Sequence, residues 1–233
     1  MENLFDWMYY VNNNRDLRKA GINTKQKALE HWKNHGKYEG RKSHNEFISK
    51  YGYWTSSNII DEHIFDPQLC DELVFFFKNK KLKIVDLGCG LGKYVSELNN
   101  KNIDCDGFDG NPNTNSLTNN LCYAQNLSIP FQFDKKYDWV ISLEVGEHIP
   151  KEFESIFIEN LHNNNTKGII LSWALPNQPG YGHFNCQKNE YIKKKFIEKG
   201  YVNDIELEST LRNKCKLKWF KETIMVFKKI IFA

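Results

Sequence analysis

Glu144, Glu147 and His148 fall in one five-residue stretch, within LEVGEH, where the apolar run YDWVIS ends. A second imidazole, His183, lies in LPNQPGYGHFN, after the next apolar run, GIILSWA. Two carboxylates and two imidazoles can hold a divalent ion and leave positions open for a substrate. The predicted metal set is therefore Glu144, Glu147, His148 and His183. The same residues allow metal-free chemistry. His148 or His183 could take a proton as general base, oriented by a carboxylate such as Glu147. The plain alternative makes His183 a loop residue bonded to backbone. Of the other histidines, only His63, in IIDEHIFD, is placed where it could approach a ligand.

A second constellation precedes it. IVDLGCGLGKY, residues 84–94, places Gly88, Gly90 and Gly92 after an apolar run and before a helical one. Glycines at such a junction permit a tight turn and let a ligand approach the backbone. Asp109 follows Gly88 by 21 residues at the end of the next apolar run, where a carboxylate can grip ribose hydroxyls. The spacing departs from the dinucleotide pattern, and Asp86 stands just before the glycines. A pyrophosphate would be repelled by that acid. A cofactor with a cationic amino-acid tail would not.

These residues need a scaffold. From residue 81, strand-like LKIVDLG, IDCDGFD, CYAQNL, KYDWVISLE and KGIILSWA alternate with helical KYVSELNN, KEFESIFIENLHNN and QKNEYIKKKFIEKG. The pattern predicts an α/β fold, a Rossmann-like, mostly parallel seven-stranded sheet with helices on both faces. YVNDIELE and ETIMVFKKI read as two last strands with no helix between them, pairing to give an antiparallel C-terminal strand. Residues 1–46 read as a small helical N-terminal unit with Trp7, Tyr10, Leu17, Ala28, Leu29 and Trp32 as its core. Thr24 is its expected N-cap and Gly36 its helix stop. Residues 47–80 read as a helical lead-in or lid, with Tyr53 and Trp54 at its start, and 81–233 as the main domain. Trp173, ending the fifth strand, is placed where a substrate ring could stack, with core packing as the equal alternative.

Composition narrows the function classes. The 233-residue chain carries Lys+Arg 32 against Asp+Glu 29, a net +3, and only four of the cations are arginine. That balance gives no electrostatic case for nucleic acid, and no basic patch is interleaved with aromatics. The six cysteines form no C-x-x-C pair, no leader pattern opens the sequence, and no apolar run approaches membrane-spanning length. A reduced, cytoplasmic setting without membrane contact is expected. So short an N-terminal unit is expected to dock on the main domain or on a partner.

Taken together, VDLGCGLG, Asp109 and the strand order resemble the class I S-adenosylmethionine-dependent methyltransferases over about residues 80–230. The resemblance implies S-adenosyl-L-methionine as cofactor, held by Asp86, Gly88, Gly90 and Asp109. Asn126 and Leu127, after the third strand, match the family's adenine contact, where Asp is usual. E-x-x-E-H with a downstream His is similar to the metal site of small-RNA 2′-O-methyltransferases, and E-x-x-E-H to ubiquinone-biosynthesis O-methyltransferases; both resemblances imply a magnesium-like ion, Mg2+ or Mn2+. NNNRDLRKAGINTKQKALEHWKNHGKYEGR resembles a short unit attached to glycan-related proteins. The implied activity is metal-assisted O-methylation of a sugar or glycan-type hydroxyl. RNA, a phenolic small molecule, or a catalytically inactive binding protein are the alternatives.

Overall fold

The structure is a computed structural model that describes residues 5, 7–43, 47–55 and 63–230. The N-terminal unit is built from α1 (Trp7–Asn13), α2 (Arg15–Lys19) and α3 (Lys25–His31), which continues as a π-helical turn, Trp32–Gly36. The Thr24 hydroxyl accepts from the Lys27 amide at 3.3 Å, as an N-cap does. Tyr10, Val11, Leu17, Ala28 and Trp32 are buried together, with Trp7 and Leu29 packed against them. Gly36 is the last residue of that helical run, where the stop is expected. It makes room for a ring: a Cβ there would lie 1.9 Å from the Tyr10 hydroxyl. The boundary drawn at residue 46 falls outside the described residues, as do Ser56 and Ser57.

A short turn follows, closed by an antiparallel bridge between Ile48 and Trp54. Helix α4 (Pro67–Phe77) begins on Asp66, whose Oδ1 accepts from the Leu69 amide at 3.0 Å, and Pro67 fills the first helical position. The other Asp66 oxygen accepts from the Lys216 and Leu217 amides, both at 2.7 Å, and ties the helix to the far end of the chain.

Seven strands form one sheet: β1 (Lys83–Leu87), β2 (Asp104–Asp109), β3 (Tyr123–Ala124), β4 (Trp139–Ser142), β5 (Gly168–Leu171), β6 (Tyr201–Asn203) and β7 (Met225–Lys229). Their order is β3-β2-β1-β4-β5-β7-β6, with β7 antiparallel to both neighbours. Side chains alternate between the two faces, as the strand period requires. Ile84, Ile141, Ile170 and Val226 join a cluster with Leu69, Leu73 and Phe77 of α4 and with α5 (Lys93–Asn100). The intervening Val85, Val140, Ile169 and Phe227 pack on the opposite face. The short α6 (Thr114–Leu117) precedes β3, while α7 (Glu154–Asn163) and α8 (Asn189–Ile197) supply Phe157, Leu161, Ile192 and Phe196 to that second cluster.

The C-terminal end differs from the reading above. Strand β6 stops after three residues, and two helices, α9 (Ile205–Lys214) and α10 (Lys218–Thr223), separate it from β7. Asp204 is the cause. Its carboxylate accepts from the Leu207 amide at 3.1 Å and starts a helix where IELE had been read as strand. The strand order reverses between β1 and β4, and at such a switch point ligands bind beyond the carboxyl ends of the strands.

Candidate functional site

The turn after β1 is shaped by its glycines. Gly88 has φ +92°, and a Cβ on it would come within 2.2 Å of Val145. At Gly90, φ +54°, a Cβ would strike the His63 ring at 2.1 Å. His63 therefore packs on the glycine turn, on the side anticipated for it. Asp109, at the tip of β2, accepts from the Gly90 amide at 3.0 Å and from the Asn111 amide at 2.8 Å. Its carboxylate fixes the turn and still faces the cavity. Asp86 is nearly fully buried. Burial pushes its carboxyl up to about 8, and the charge of Asp109 adds to the effect.

A cavity of about 450 Å³ opens over these strand tips. Asp86, Gly88, Asp109, Asn126 and Leu127 line one side, and Glu144, His148 and His183 the other. Gly90 lies behind the His63 ring and is not on the wall. The Asn126 Oδ1 accepts from the Ser128 amide at 2.9 Å, which fixes its side chain in the turn after β3.

Glu144 follows β4 with φ +53°, a left-handed conformation uncommon for any residue but glycine. Its amide donates to Ser172 Oγ at 2.7 Å. Its carboxylate accepts from Gln178 Nε2 at 2.7 Å and Thr223 Oγ1 at 3.1 Å. Glu147 is wholly buried, and its carboxyl oxygens make no close, well-aligned hydrogen bond; the Glu144 carboxyl and the Ala174 amide are its polar neighbours. Burial first, and Glu144 second, push its carboxyl pKa upward. The Nδ1 of His148 donates to the Gly182 carbonyl at 3.1 Å, and the Nδ1 of His183 donates to the Gln178 carbonyl at 3.2 Å. Each ring thus keeps its Nε2 lone pair free of the backbone. Burial lowers both imidazole pKa values, that of His148 to about 3, with His183 adding to it. Both rings are neutral at physiological pH.

Ligand atoms of Glu147, His148 and His183 all lie within 4.8 Å of one another. That is the one such group among the described residues, and Glu144 stands outside it, held by Gln178 and Thr223. A wholly buried carboxyl group beside two neutral imidazoles fits a divalent cation, whose charge would favour its ionised form. Of the two roles open to Trp173, core packing holds and substrate stacking does not. Its ring is fully buried against Gly146 and Phe157, with Nε1 donating to the Asn185 carbonyl at 2.6 Å. The aromatic wall near the histidines is instead Trp54 and Tyr181, stacked at 5.3 Å between centroids. The sequence marks Tyr181 only by its turn-rich loop. Gln178 and Thr223 carry no sequence signal, since they lie 34 and 79 residues from the acid they hold.

Comparison with known proteins agrees with this architecture. A family model described as methyltransferase domain matches residues 60–194. The chain is 32% identical over 113 residues to the chloroplastic tocopherol O-methyltransferase of Arabidopsis thaliana, a match covering 42% of this chain and 32% of that protein. The chain thus spans about a third of that relative's length. Among solved structures, magnesium protoporphyrin IX methyltransferase from Synechocystis PCC 6803 with bound SAH superposes with a TM-score of 0.53 at 20% identity, over 70% of this chain and 83% of that one. An amino pentose methyltransferase, CalS10 from Micromonospora echinaspora, gives 0.53 at 10% identity over 70% and 89%. Glycine turn, strand order and family match converge: the chain belongs to the methyltransferase domain family and has the class I, S-adenosylmethionine-dependent fold.

Proposed function

We propose that the protein is an S-adenosylmethionine-dependent O-methyltransferase assisted by a divalent metal, acting on a hydroxyl of a sugar or glycan-type acceptor. The observation that carries the metal is the wholly buried Glu147 carboxyl grouped with His148 and His183 within 4.8 Å. When bound, S-adenosylmethionine supplies an electrophilic methyl group, and Mg2+ or Mn2+ a Lewis acid that makes a nearby hydroxyl more acidic. The chain does the rest. Asp86, Gly88 and Asp109 bind and orient the methyl donor, with Asn126 and Leu127 beside its base. His148 and His183 line the cavity opposite and, with Glu147 buried behind the wall, would hold the ion. Gln178 and Thr223 keep Glu144 next to Glu147, and Glu144 is placed to take the proton leaving the acceptor. This opposition of donor and acceptor supplies the proximity on which methyl transfer depends.

A phenolic acceptor is the second reading, favoured by the tocopherol O-methyltransferase match. Calorimetry should detect S-adenosylmethionine binding, and no binding would support a catalytically inactive fold. Chelator should abolish turnover while leaving cofactor affinity nearly intact. Full turnover in excess chelator would overturn the metal and leave a histidine base. His183→Ala should cost far more turnover than His162→Ala, since His162 lies outside the cavity, on Tyr201. Equal losses would remove His183 from the site.

A further inference from the structure

We infer that Lys93 holds the carboxylate at the amino-acid end of S-adenosylmethionine, and so makes the site specific for a donor whose tail is a zwitterion. The inference rests on S-adenosylmethionine as the methyl donor, and on neither the metal nor the acceptor.

Charge singles out the residue. The donor's tail carries an ammonium and a carboxylate, and each needs an opposite charge or hydrogen-bond partners once it leaves water. Asp86 and Asp109 suit the ammonium and the ribose hydroxyls. Neither suits a second carboxylate, which like charge disfavours. Lys93 is the one Lys or Arg among the described residues of the cavity wall. Lysines elsewhere are tied to acids: Lys135 to Asp106, Lys151 to Glu154, Lys193 to Glu208 and Lys228 to Asp204. Lys93 is exposed and, among the described residues, pairs with no acid. Its ammonium is available to a ligand.

Position agrees with charge. Lys93 follows Gly92 as the first residue of α5, at the end of the glycine turn. Asp109 is bonded to the Gly90 amide of the same turn at 3.0 Å, and Asp86 ends the strand that leads into it. The three side chains thus border one turn, and a single nucleoside with an amino-acid tail can engage all of them. Gly92 has φ +68°, and a Cβ there would lie 2.8 Å from Cys122 Sγ. The position takes no side chain, so α5 starts without a side-chain cap. Its first amides are left to a ligand or to water, and they add positive dipole ends beside the lysine. Tyr94, the next residue, packs its ring on Phe65 at 4.8 Å between centroids. Both rings and Trp219 line the cavity. An ion pair formed beside aromatic faces is screened less than one in open water.

Calorimetry on the full chain tests this with three ligands: S-adenosylhomocysteine, its decarboxylated analogue, and methylthioadenosine, which lacks both tail charges. The parent should bind S-adenosylhomocysteine about tenfold tighter than the decarboxylated analogue. Lys93→Ala should weaken S-adenosylhomocysteine about five- to tenfold and leave the other two ligands within about twofold, so that the discrimination collapses. Lys93→Arg should recover most of the affinity, and Lys93→Glu should turn the preference toward the decarboxylated analogue. Added salt should shrink the parent's preference and leave that of Lys93→Ala in place. Unchanged S-adenosylhomocysteine affinity in Lys93→Ala overturns the inference. Equal losses for all three ligands do the same, since they would show Lys93 acting through the fold of α5 and not on the carboxylate. A parent protein that binds none of the three takes the S-adenosylmethionine reading with it.

Discussion

At the scale of single residues, Asp86 and Gly88 set the cofactor side. Asp86 is buried next to Asp109, so its folded pKa of about 8 lies above the ordinary value of roughly 3.9. Between those values the folded state holds a proton that the unfolded state has released. Stability of the ligand-free protein should therefore fall as pH rises from about 4 to 8. A bound cationic amino group favours the ionised form, so S-adenosylmethionine affinity should rise between pH 6 and pH 8. Asp86→Asn should flatten that profile in calorimetry, raise the ligand-free Tm at pH 8, and weaken binding by about tenfold or more. An unaltered profile in the variant would assign the titration to another group. Gly88→Ala meets two obstacles at once, φ +92° and the Val145 methyl at 2.2 Å. It should cost on the order of 1–3 kcal/mol in denaturant unfolding and lose cofactor binding with it. Glu144 has a similar backbone conformation without being glycine. Such strain persists where surrounding bonds over-determine it, and Ser172, Gln178 and Thr223 supply those bonds.

At the scale of elements, the loop that carries His183 depends on α7. Glu154, nearly buried, accepts from Lys151 at 2.7 Å, Asn185 at 2.9 Å, Gln187 at 3.4 Å and the Tyr191 hydroxyl at 2.6 Å. The amides of Phe184 and Asn185 in turn donate to the Glu147 carbonyl at 2.8 and 2.9 Å. Glu154 therefore positions His183 against Glu147 without touching either. Glu154→Ala should cost about 2 kcal/mol of stability and lower Mn2+ affinity about tenfold, as loss of outer-shell support does. S-adenosylhomocysteine affinity should be unchanged, and Mn2+ affinity equal to the parent's would show the loop to be set without α7. The legibility of the sequence follows from the same geometry. Short, near-continuous apolar runs marked β1, β4, β5 and β7, because strands buried on both faces are written locally, and alternation marked β2. E-x-x-E-H and the glycine turn were legible because each is one short contiguous stretch. Glu154, Gln178 and Thr223 were not, because their partners are fixed by tertiary contacts 30 or more residues away. Helix α9 was missed for a local reason: Asp204 was read as strand interior when it is a cap. Asp204→Ala should cost roughly 1 kcal/mol and loosen α9.

At the scale of the whole molecule, residues 47–55 lie across both halves of the cavity. On the cofactor side, the Tyr51 carbonyl accepts from Ser128 Oγ at 2.7 Å, and the Thr55 carbonyl accepts from Asn113 Nδ2 at 3.1 Å. Tyr53 packs on Gly110, next to Asp109. On the other side, Gly52 packs on the His148 carbonyl, Ile48 on Gly182, and Trp54 on Tyr181. Few apolar groups hold the segment: Ile48 is buried, but Phe47 is half exposed and the Ile48–Trp54 bridge is isolated. Segments with so few buried contacts open at less than the global free energy. A ligand that fills the cofactor half braces Tyr51, Tyr53 and Thr55 from below, and should slow opening of the whole segment, including Gly52 and Trp54 on the acceptor side. Hydrogen exchange with and without S-adenosylhomocysteine checks this. The Gly52 and Thr55 amides, bonded to the Ser49 and Phe47 carbonyls at 3.0 and 2.7 Å, should exchange about tenfold more slowly in the complex. Ser128→Ala should reduce that protection at Gly52 while protection at the Gly90 amide, bonded to Asp109, persists. Protection confined to residues 88–92 would mean that the two halves bind their ligands independently. Protection that spreads through 47–55 would make cofactor binding the event that assembles the acceptor wall.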